Sequence, residues 1–559
     1  MLSADFPCRE IMGVIMEQGR LLIAIVLSVL VFTVWGFFFQ DTTPPQQQTA
    51  QTQPESPLSA DKVAAGSPQE TTIKEQPLPA FQKSKDLVVN TPFYSVTISD
   101  KGAFFKNFTL KQYRESVESD SPNKELITLP NVGSLNLSFS ENSISEFKDA
   151  VFLSTVSSDS IDVRDSSQEV SFLWTSPSGV VLEKQYTFYP DSYLIGLNIV
   201  IKNGSGKLLQ DHLELSLTSS FKEAKNSYGF EGPSAFINNT LEQIAVKDLQ
   251  KKNVYSGKIN WTCLEERYFL TGIVPVVPTD ASVKLSLTNG RLDNVFVEPE
   301  FKIDSGVQRK FQYNIYMGPK SYSILSNLGI GLEKAIHFGF FDILAKPLLW
   351  LLNFLHDYIP NYGAAIIVLT LIIKGILWPL GSKSYKSMSE MKKIQPLMAQ
   401  IREKYKDDKK KMNEETMALY KTYKVNPLGG CLPMVVQIPV FFALYRMLYE
   451  AIELRHAPFI GWITDLSAPD RLLHFSFSIP FMEPPYGIPV LTIIMGATMF
   501  IQQKMSPPMG DPMQAKMMMM MPIVFTFIFI NFSSGLVLYW LVNNIVSISQ
   551  QYYIQKKYA

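Results

Sequence analysis

An apolar run of 17 residues with a single charge inside it is the feature that most constrains this chain. The run covers residues 364–380, and the charge is Lys374. A helix rises about 1.5 Å per residue, so the run covers roughly 25 Å, close to the hydrocarbon thickness of a bilayer. A lysine at the centre of such a helix costs on the order of 2.5–3.5 kcal/mol. It therefore faces a polar cavity, finds a partner or extends to the membrane surface.

The overall composition predicts a soluble domain joined to a membrane domain. Of the 559 residues, 46% are hydrophobic, and the mean hydropathy is +0.05. This is too apolar for an ordinary soluble chain and too polar for a protein made only of membrane spans. The three cysteines, Cys8, Cys263 and Cys431, lie far apart, and the five histidines form no HExxH motif. The sequence therefore predicts no disulfide framework, no metal site and no cofactor.

The N-terminal part predicts a membrane anchor followed by a tether. Residues 1–20 precede a second apolar run, residues 21–39, with Arg20 just before it. No small-residue cleavage site follows, which favours an uncleaved transmembrane helix 1 over a removed signal peptide. Met16 is an alternative start of translation. Residues 40–87 are rich in Pro, Gln, Thr and Ser, and they predict a disordered periplasmic linker.

Residues 88–320 predict one large antiparallel β-sandwich domain. Short runs of alternating apolar and polar residues, such as 93–98, 193–201 and 283–287, are typical of strands with one buried face. The Asn-Gly pairs at 203–204 and 289–290 are strong turn signals. The acids and aromatics of this region could form a sugar site. No paired-carboxylate motif is present, so solvated faces and an ordinary core are the preferred interpretation.

A helical region follows the β-domain, at residues 326–358. Its apolar part, residues 343–355, is short and is interrupted by Lys346 and Pro347. We expect an amphipathic helix that lies on the membrane surface and does not cross it.

Five further membrane spans are predicted, and loop charge orients them. Transmembrane helices 2 to 6 are expected at residues 363–380, 431–450, 488–503, 517–532 and 535–554. The connections are a cytoplasmic hairpin (381–430), a periplasmic loop (451–487), a cytoplasmic loop (504–516) and a cytoplasmic tail (555–559). The hairpin region contains twelve Lys and Arg residues against six acids. The positive-inside rule places it in the cytoplasm, so the β-domain lies on the outer side of the membrane and both termini are cytoplasmic.

The basic hairpin has two interpretations. Its composition predicts helices at residues 384–405 and 413–423, joined by a charged turn. A solvated helix pair that merely satisfies the charge rule is one possibility. A docking surface for ribosomal RNA or an acidic partner is the other. The candidate docking residues are Lys392, Lys393, Arg402, Lys409, Lys410 and Lys411.

Polar residues recur inside the predicted spans. Thr370 and Lys374 lie four residues apart and share one helix face. Gln437, Gln502 and Asn543 each lie in a different span. Several spans that contribute one polar residue each predict a shared hydrophilic groove.

The competing interpretation of Lys374 is that its stem extends to the interface, because it lies about 9 Å from the end of its run. From spacing alone the two interpretations are equal. The short predicted spans favour the groove, since short hydrophobic segments thin the bilayer.

Three motifs carry a resemblance to a known family. They are VNPLGGCLPMVVQIPVFFALYRML, FIQQKMSPPMGDPMQAKMMMMMPIVF and SSGLVLYWLVNN. With these motifs the chain resembles the YidC/Oxa1/Alb3 membrane insertase family, and in particular its members from Gram-negative bacteria. The resemblance implies an α+β membrane protein. Its expected parts are an N-terminal transmembrane anchor, a large periplasmic antiparallel β-sandwich, and a five-helix transmembrane core with a cytoplasmic helical hairpin.

The resemblance also implies a function and a set of residues. The family members integrate and help fold nascent inner-membrane proteins, alone or with the Sec translocon, through a hydrophilic groove that carries a positive charge. Lys374 matches that charged position. Positions that contact substrate fall on Thr370, Phe441, Met495 and Trp540 by local motif match.

The implied partners are nascent inner-membrane proteins, the Sec translocon, membrane lipids and, weakly through the basic hairpin, the ribosome. No small-molecule substrate and no enzymatic activity are expected, and the location is the bacterial inner membrane.

Two rival functions are open at this point. A secondary transporter could use Lys374 to bind a small anion, but it predicts inverted repeats, and none is evident in the five-span core. An envelope binding protein would carry its function in the β-domain, so deletion of residues 90–320 would abolish activity. The insertase hypothesis predicts that most such deletions are tolerated when the surface helix remains.

Overall fold

The computed structural model describes residues 86–222, 229–425, 432–506 and 512–558. The predicted N-terminus (1–20), the first transmembrane helix (21–39) and nearly all of the predicted linker lie outside these residues. The described chain consists of a β-domain followed by a bundle of helices.

The β-domain contains twenty strands. In chain order they are β1 (Leu87–Asn90), β2 (Tyr94–Ile98), β3 (Phe105–Arg114), β4 (Asn123–Glu125), β5 (Asn136–Phe139), β6 (Leu153–Ser154), β7 (Ser160–Asp162), β8 (Gln168–Thr175), β9 (Val180–Phe188), β10 (Leu194–Asn203), β11 (Leu209–Asp211), β12 (Leu213–Ser220), β13 (Gly232–Ile237), β14 (Thr240–Gln243), β15 (Val254–Glu265), β16 (Phe269–Pro275), β17 (Thr279–Thr288), β18 (Arg291–Val297), β19 (Phe301–Ile303) and β20 (Gln308–Pro319).

These strands form a large sheet, a smaller sheet and a short two-stranded ladder. The large sheet has 13 strands, with the order β5-β12-β18-β17-β15-β16-β20-β10-β9-β8-β6 and with β13 and β14 attached to β15. The smaller sheet has five strands in the order β4-β3-β2-β1-β7. The pairing is antiparallel as predicted, except that β1 and β7 pair in parallel. The long connection between these two strands makes a parallel pairing possible.

An aromatic core joins the two sheets. Phe105 of the smaller sheet and Tyr186 of the larger one are fully buried, with ring centroids 5.0 Å apart. Lys184 is also fully buried there. Its ammonium donates to the carbonyl oxygens of Gly102, Ala103 and Leu135 at 3.2, 2.8 and 3.0 Å. All three of its donors are thereby used, so Lys184 ties the sheets together.

Eight α-helices follow the β-domain in the described chain. They are α1 (Tyr322–Asn327), α2 (Asp342–Tyr358), α3 (Tyr362–Lys404), α4 (Lys409–Thr422), α5 (Leu432–Glu450), α6 (Val490–Met505), α7 (Pro512–Phe529) and α8 (Ser534–Tyr558). Short 3₁₀-helices occur at Ser145–Asp149, Val246–Asp248, Leu332–Ala335, Gly339–Phe341 and Ile452–Leu454.

The predicted continuous helix at residues 326–358 is wrong in its first half. Only α2 is a regular helix of more than two turns in this region. Gly329, Gly331 and Gly339 adopt positive φ angles of 66°, 79° and 65°. These left-handed conformations interrupt an α-helix, so residues 328–341 form turns and short 3₁₀ segments.

Helix α2 carries apolar residues on its buried face and also on its open face, so the amphipathic surface helix stays a prediction. Its Ala345, Leu349 and Leu352 are buried, whereas Ile343 and Trp350 are 82% and 64% exposed. The helix continues through Pro347. This proline is the sixth residue of the helix, so its missing N–H removes one intrahelical hydrogen bond, the one to the Ile343 carbonyl.

The predicted break between the second span and the hairpin is also wrong. Helix α3 runs for 43 residues from Tyr362 to Lys404, so the span at 363–380 and the first hairpin helix are one element. The boundary at residue 380 was predicted from a change in hydropathy. A helix can continue through such a change, because hydropathy does not alter the backbone conformation. The second hairpin helix begins at Lys409, four residues before the predicted start, because the Asp408 side chain accepts from the Lys411 amide at 3.0 Å.

Helices α5 to α8 lie at the positions of the remaining predicted spans, with shifted ends. Helix α7 starts at Pro512 and not at residue 517, because its polar first turns continue the helix beyond the apolar stretch. Within the described residues, Tyr362–Lys404 is the one helix that is long and apolar enough to cross a membrane, and Lys516–Phe529 is a shorter apolar helix.

The connection between α5 and α6 caps one end of the bundle. The Asn361 amide, just before α3, donates to the Phe459 carbonyl at 3.0 Å. The Ser534 hydroxyl, at the start of α8, donates to the Asp465 carbonyl at 2.8 Å. At the opposite end, the Gln555 amide donates to the Met505 carbonyl at 3.0 Å. The β-domain contacts the C-terminal end of α5, where the Arg267 guanidinium donates to the Tyr449 carbonyl at 2.9 Å, so the β-domain and the α3–α4 hairpin lie at opposite ends of the bundle.

The hairpin has a small core of its own. Met391, Ile394 and Met398 of α3 are buried together with Val425, and Leu419 and Tyr420 pack against them. The charged residues on the other sides of the hairpin are mostly exposed.

We expect Ile394→Ala to loosen α4 from α3. Removing a buried isoleucine side chain costs about 2–5 kcal/mol, which is large for so small a cluster. Limited proteolysis should then cut residues 405–425 faster than in the unmodified protein. Lys393→Ala is the matched control, because Lys393 is the exposed neighbour of Ile394. Equal cleavage rates in both variants would contradict this role of the cluster.

Candidate functional site

Lys374 lies on α3 and its side chain reaches across to α8. Its ammonium donates to the Ser547 hydroxyl at 2.9 Å, and that hydroxyl donates to the Asn543 carbonyl at 2.7 Å. No carboxylate of the described residues forms an ion pair with Lys374. The geometry therefore favours the interpretation in which Lys374 faces a neighbouring span and holds an unneutralised positive charge there.

A small cavity lies beside Lys374. Its volume is about 20 Å³, enough for roughly one water molecule. Gln437 of α5 lines the same cavity, and its amide donates to the Tyr539 hydroxyl at 2.6 Å. The full lining is Lys374, Leu377, Leu380, Gly381, Tyr385, Val436, Gln437 and Gln550. The structure thus brings together two of the residues predicted for the groove.

Gln502 is the third predicted groove residue near Lys374, and Tyr385 lies between them. The Tyr385 hydroxyl lies near the side chains of Ser547 and of Gln502 of α6. On the side of the hairpin, the Gln550 amide donates to the Trp378 carbonyl at 3.0 Å and to the Ser382 hydroxyl at 3.2 Å. Polar side chains of α3, α5, α6 and α8 therefore meet around Lys374.

Thr370 and Asn543 are not among the residues that line this cavity. Thr370 is fully buried, and its hydroxyl donates to the Ile366 carbonyl of its own helix at 2.7 Å. This local bond satisfies the hydroxyl without any partner from another span. The Asn543 side-chain oxygen is buried without a partner in the described chain. Its neighbour Asn544 donates to the Thr498 hydroxyl at 3.2 Å.

Three residues of this site were not predicted: Tyr385, Ser547 and Gln550. The signal for two of them is spacing, since Asn543, Ser547 and Gln550 recur at intervals of four and three residues and so share one face of α8. Tyr385 gave no such signal, because it follows the apolar run and was assigned to the hairpin. Gln551 is 1% exposed, and neither atom of its amide has a partner in the part of the chain that is described.

The predicted substrate-contact residues fall into two groups. Phe441 of α5 and Trp540 of α8 are partly exposed, and their rings meet edge to face with centroids 4.6 Å apart. The ring of Phe529 of α7, which is buried, packs against the Trp540 ring with centroids 5.1 Å apart. Met495, like Thr370, is fully buried within the bundle.

Ionic and polar contacts hold the β-domain on the end of α5. The Lys320 ammonium lies 2.9 Å from the Glu265 carboxylate, and their side chains are 2% and 0% exposed. Burial by itself lowers the pKa of Lys320, but Glu265 and then Glu450 outweigh burial, so the net shift of this pKa is upward. The Arg267 guanidinium donates to the Tyr449 carbonyl at 2.9 Å.

The loop after α5 adds a further contact. The Ser321 hydroxyl donates to the Glu453 carboxylate at 3.0 Å, and burial raises the pKa of that carboxyl. The β-domain and the bundle therefore share a desolvated polar junction.

Two family models match the chain, and together they cover both parts of the described structure. Residues 86–351 match the YidC periplasmic domain, and residues 354–559 match the 60Kd inner membrane protein family. The sheet domain and the helical bundle thus define an inner-membrane protein with a large periplasmic domain.

Relatives agree over nearly the whole length. The membrane protein insertase YidC of Syntrophus aciditrophicus is 42% identical over 558 residues, which covers 96% of this chain and 99% of the relative. That of Syntrophobacter fumaroxidans is 41% identical, with 96% and 100% coverage. The crystal structure of an active YidC insertase is 19% identical, covers 85% of this chain and 94% of its own, and has a TM-score of 0.38. The chain belongs to the YidC family of membrane protein insertases.

Proposed function

We propose that this protein inserts nascent proteins into the inner membrane and helps them fold. The observation that carries the proposal is the Lys374 ammonium, held inside the helical bundle by Ser547 without a carboxylate partner among the described residues. An unneutralised charge in this position attracts the acidic or polar tail of a client segment. The names of the relatives support the same function.

The proposed client path begins at the hairpin and ends in lipid. Nascent segments, and weakly the ribosome, meet the exposed residues Lys392, Lys393 and Lys409–Lys411 and the partly exposed Arg402. The polar tail then enters the groove at Lys374. The apolar part leaves over the aromatic surface of Phe441 and Trp540.

The driving force is the partition of the apolar segment into lipid, and the membrane potential assists negatively charged tails. No covalent bond changes, so the proposed activity is not enzymatic. It operates alone or with the Sec translocon.

The proposed topology follows from the two ends of the bundle. The hairpin, with its excess of lysines, is assigned to the cytoplasm by the positive-inside rule. The β-domain lies at the opposite end of the bundle and is assigned to the periplasm. Both termini are then cytoplasmic, which also agrees with Lys556 and Lys557 near the end of α8.

Photocrosslinking tests the proposed path. With a crosslinking amino acid at Phe441, Trp540, Thr370 or Met495, we expect adducts with a stalled single-span nascent protein only while its span emerges. Yields should be highest at the partly exposed Phe441 and Trp540. They should be lower at Thr370 and Met495, since these buried sites require the helices to separate. The matched control is Val277, a 72% exposed residue of the β-domain, where no such adduct is expected.

Silence at all four positions in folded, inserted protein would contradict the proposed path. The secondary transporter would then become the preferred function, with Lys374 as a site for a small anion.

A further inference from the structure

An exposed apolar surface lies on the loop that leads into α6. Leu473, Phe477 and Phe481 are 68%, 63% and 83% exposed. This loop, residues 471–488, is named the apolar loop below. It contains only two residues with acid or imidazole side chains, His474 and Glu483. Three large exposed apolar residues with so little charge around them mark an interaction surface.

The base of the apolar loop is fixed to the turn between α7 and α8. Arg471 is buried, and its guanidinium donates to the carbonyl oxygens of Pro485 at 2.9 Å and Ile530 at 2.8 Å. The Asn531 amide donates to the Phe481 carbonyl at 2.9 Å, and its side-chain oxygen accepts from the Glu483 amide at 2.9 Å. The exposed side chains therefore project from a loop whose backbone is fixed by hydrogen bonds.

The backbone is strained at two of the exposed residues. Leu473 and Phe481 have φ angles of 53° and 66°, in the left-handed region that large side chains rarely adopt. Such conformations persist where the surrounding contacts enforce them, and they cluster at functional positions. In water this arrangement is unfavourable on two counts, because the apolar side chains are exposed and the left-handed backbone costs conformational energy.

Further exposed apolar residues lie at the end of the apolar loop and on the two helices next to it. Ile488 at the end of the apolar loop is 39% exposed, and Ile493 and Ile494 on the first turn of α6 are 51% and 43% exposed. On α7, Phe527 and Ile528 are 58% and 51% exposed next to the turn that holds Arg471. In an inner-membrane protein, exposed apolar residues of the spanning helices face lipid. The loop extends that lipid-facing surface beyond the ends of the helices.

We propose that the apolar loop inserts Leu473, Phe477 and Phe481 into the lipid interface on the β-domain side of the bundle. Its occupant is the boundary between headgroups and acyl chains, where aromatic side chains are favoured and a histidine and a glutamate remain at the wet edge. The loop would hold the entry to α6 at a fixed depth while the helices of the groove move. The proposal rests on the proposed topology only in assigning the loop to the periplasmic leaflet of the membrane.

Depth-dependent fluorescence tests this proposal. A solvatochromic amino acid is incorporated at Phe477 or Phe481 of the full chain, in vesicles of phosphatidylethanolamine and phosphatidylglycerol with or without brominated acyl chains. We expect blue-shifted emission and roughly twofold or greater quenching by the brominated lipid. The same amino acid at Val277, which is 72% exposed on the β-domain, should show neither effect. Leu473 serves as a third site if one of the substituted chains does not fold.

Two results would overturn the proposal. In the first, the probes at 477 and 481 behave like the probe at 277, with red-shifted emission that aqueous iodide quenches. In the second, they remain water-exposed in vesicles and become shielded only when a purified Sec translocon is added. The surface would then be a protein-docking site and not a lipid-inserted loop.

Discussion

Lys374→Glu is expected to reduce the insertion of single-span client proteins at least tenfold, whereas Lys374→Arg should retain most of the activity. The charge on Lys374 has no carboxylate partner in the described chain, so reversing it converts attraction for acidic client tails into repulsion. Two charges about 4 Å apart interact by about 4 kcal/mol at an effective dielectric of 20, and about 1.4 kcal/mol already corresponds to a tenfold change. The measurement is protease protection of a client tail in proteoliposomes.

The controls separate the charge from its position. Lys556→Glu makes the same change at an exposed residue of α8 and should leave insertion unchanged. Ser547→Ala removes the hydrogen-bond acceptor but keeps the ammonium, so we expect a smaller loss than with Lys374→Glu. If Lys374→Glu and Lys374→Ala both supported normal insertion, the charge would not be essential and the proposed mechanism would fail at this step.

Lys320→Met is expected to destabilise the β-domain and its junction by about 3–5 kcal/mol, because it leaves the buried Glu265 carboxylate without its partner. Glu450, which is 6% exposed, also depends on Lys320 for compensation of its charge. Denaturant unfolding of the full chain in detergent, followed by protease resistance of the β-domain, measures the effect. A membrane protein with a loosened junction should also lose the fixed position of the β-domain on α5.

An exposed ion pair provides the comparison for Lys320. Lys251 and Asp248 form a pair whose side chains are 74% and 41% exposed, so Lys251→Met should leave the free energy of unfolding nearly unchanged. The double variant Lys320→Met with Glu265→Leu should recover much of the lost stability, since replacing both buried charges removes their desolvation penalty. An equal effect of Lys320→Met and Lys251→Met would show that the buried pair has no special importance.

The strands and most of the helices of this protein follow from periodicity and hydropathy in the sequence. Strand β10 alternates buried and partly exposed residues throughout, as the period of two predicts. The helices of the bundle follow from apolar runs. Helix ends were predicted less well, because hydropathy changes at residue 381 while the backbone of α3 continues to Lys404. In residues 328–341 the glycines with positive φ decide the conformation, and a helical composition does not reveal it.

The residues around Lys374 also divide into those that the sequence predicts and those that depend on tertiary packing. Lys374 and Gln437 could be predicted, since a polar residue inside an apolar span is costly and so points to a cavity. Tyr385 could not, because it follows the apolar run. Ser547 and Gln550 share a helix face with Asn543, but their meeting with Lys374 depends on how α3 packs against α8. The same holds for the buried pair Lys320 and Glu265, which the chain separates by 55 residues.

The sequence by itself determined which segments are strands, which are apolar helices and which apolar helix carries a lysine, because burial periodicity and hydropathy act locally along the chain. Only the tertiary structure decided what that charge contacts, which predicted residues line the cavity and how the β-domain is fixed to the bundle. Those properties depend on distances between residues far apart in the chain, and packing alone sets such distances.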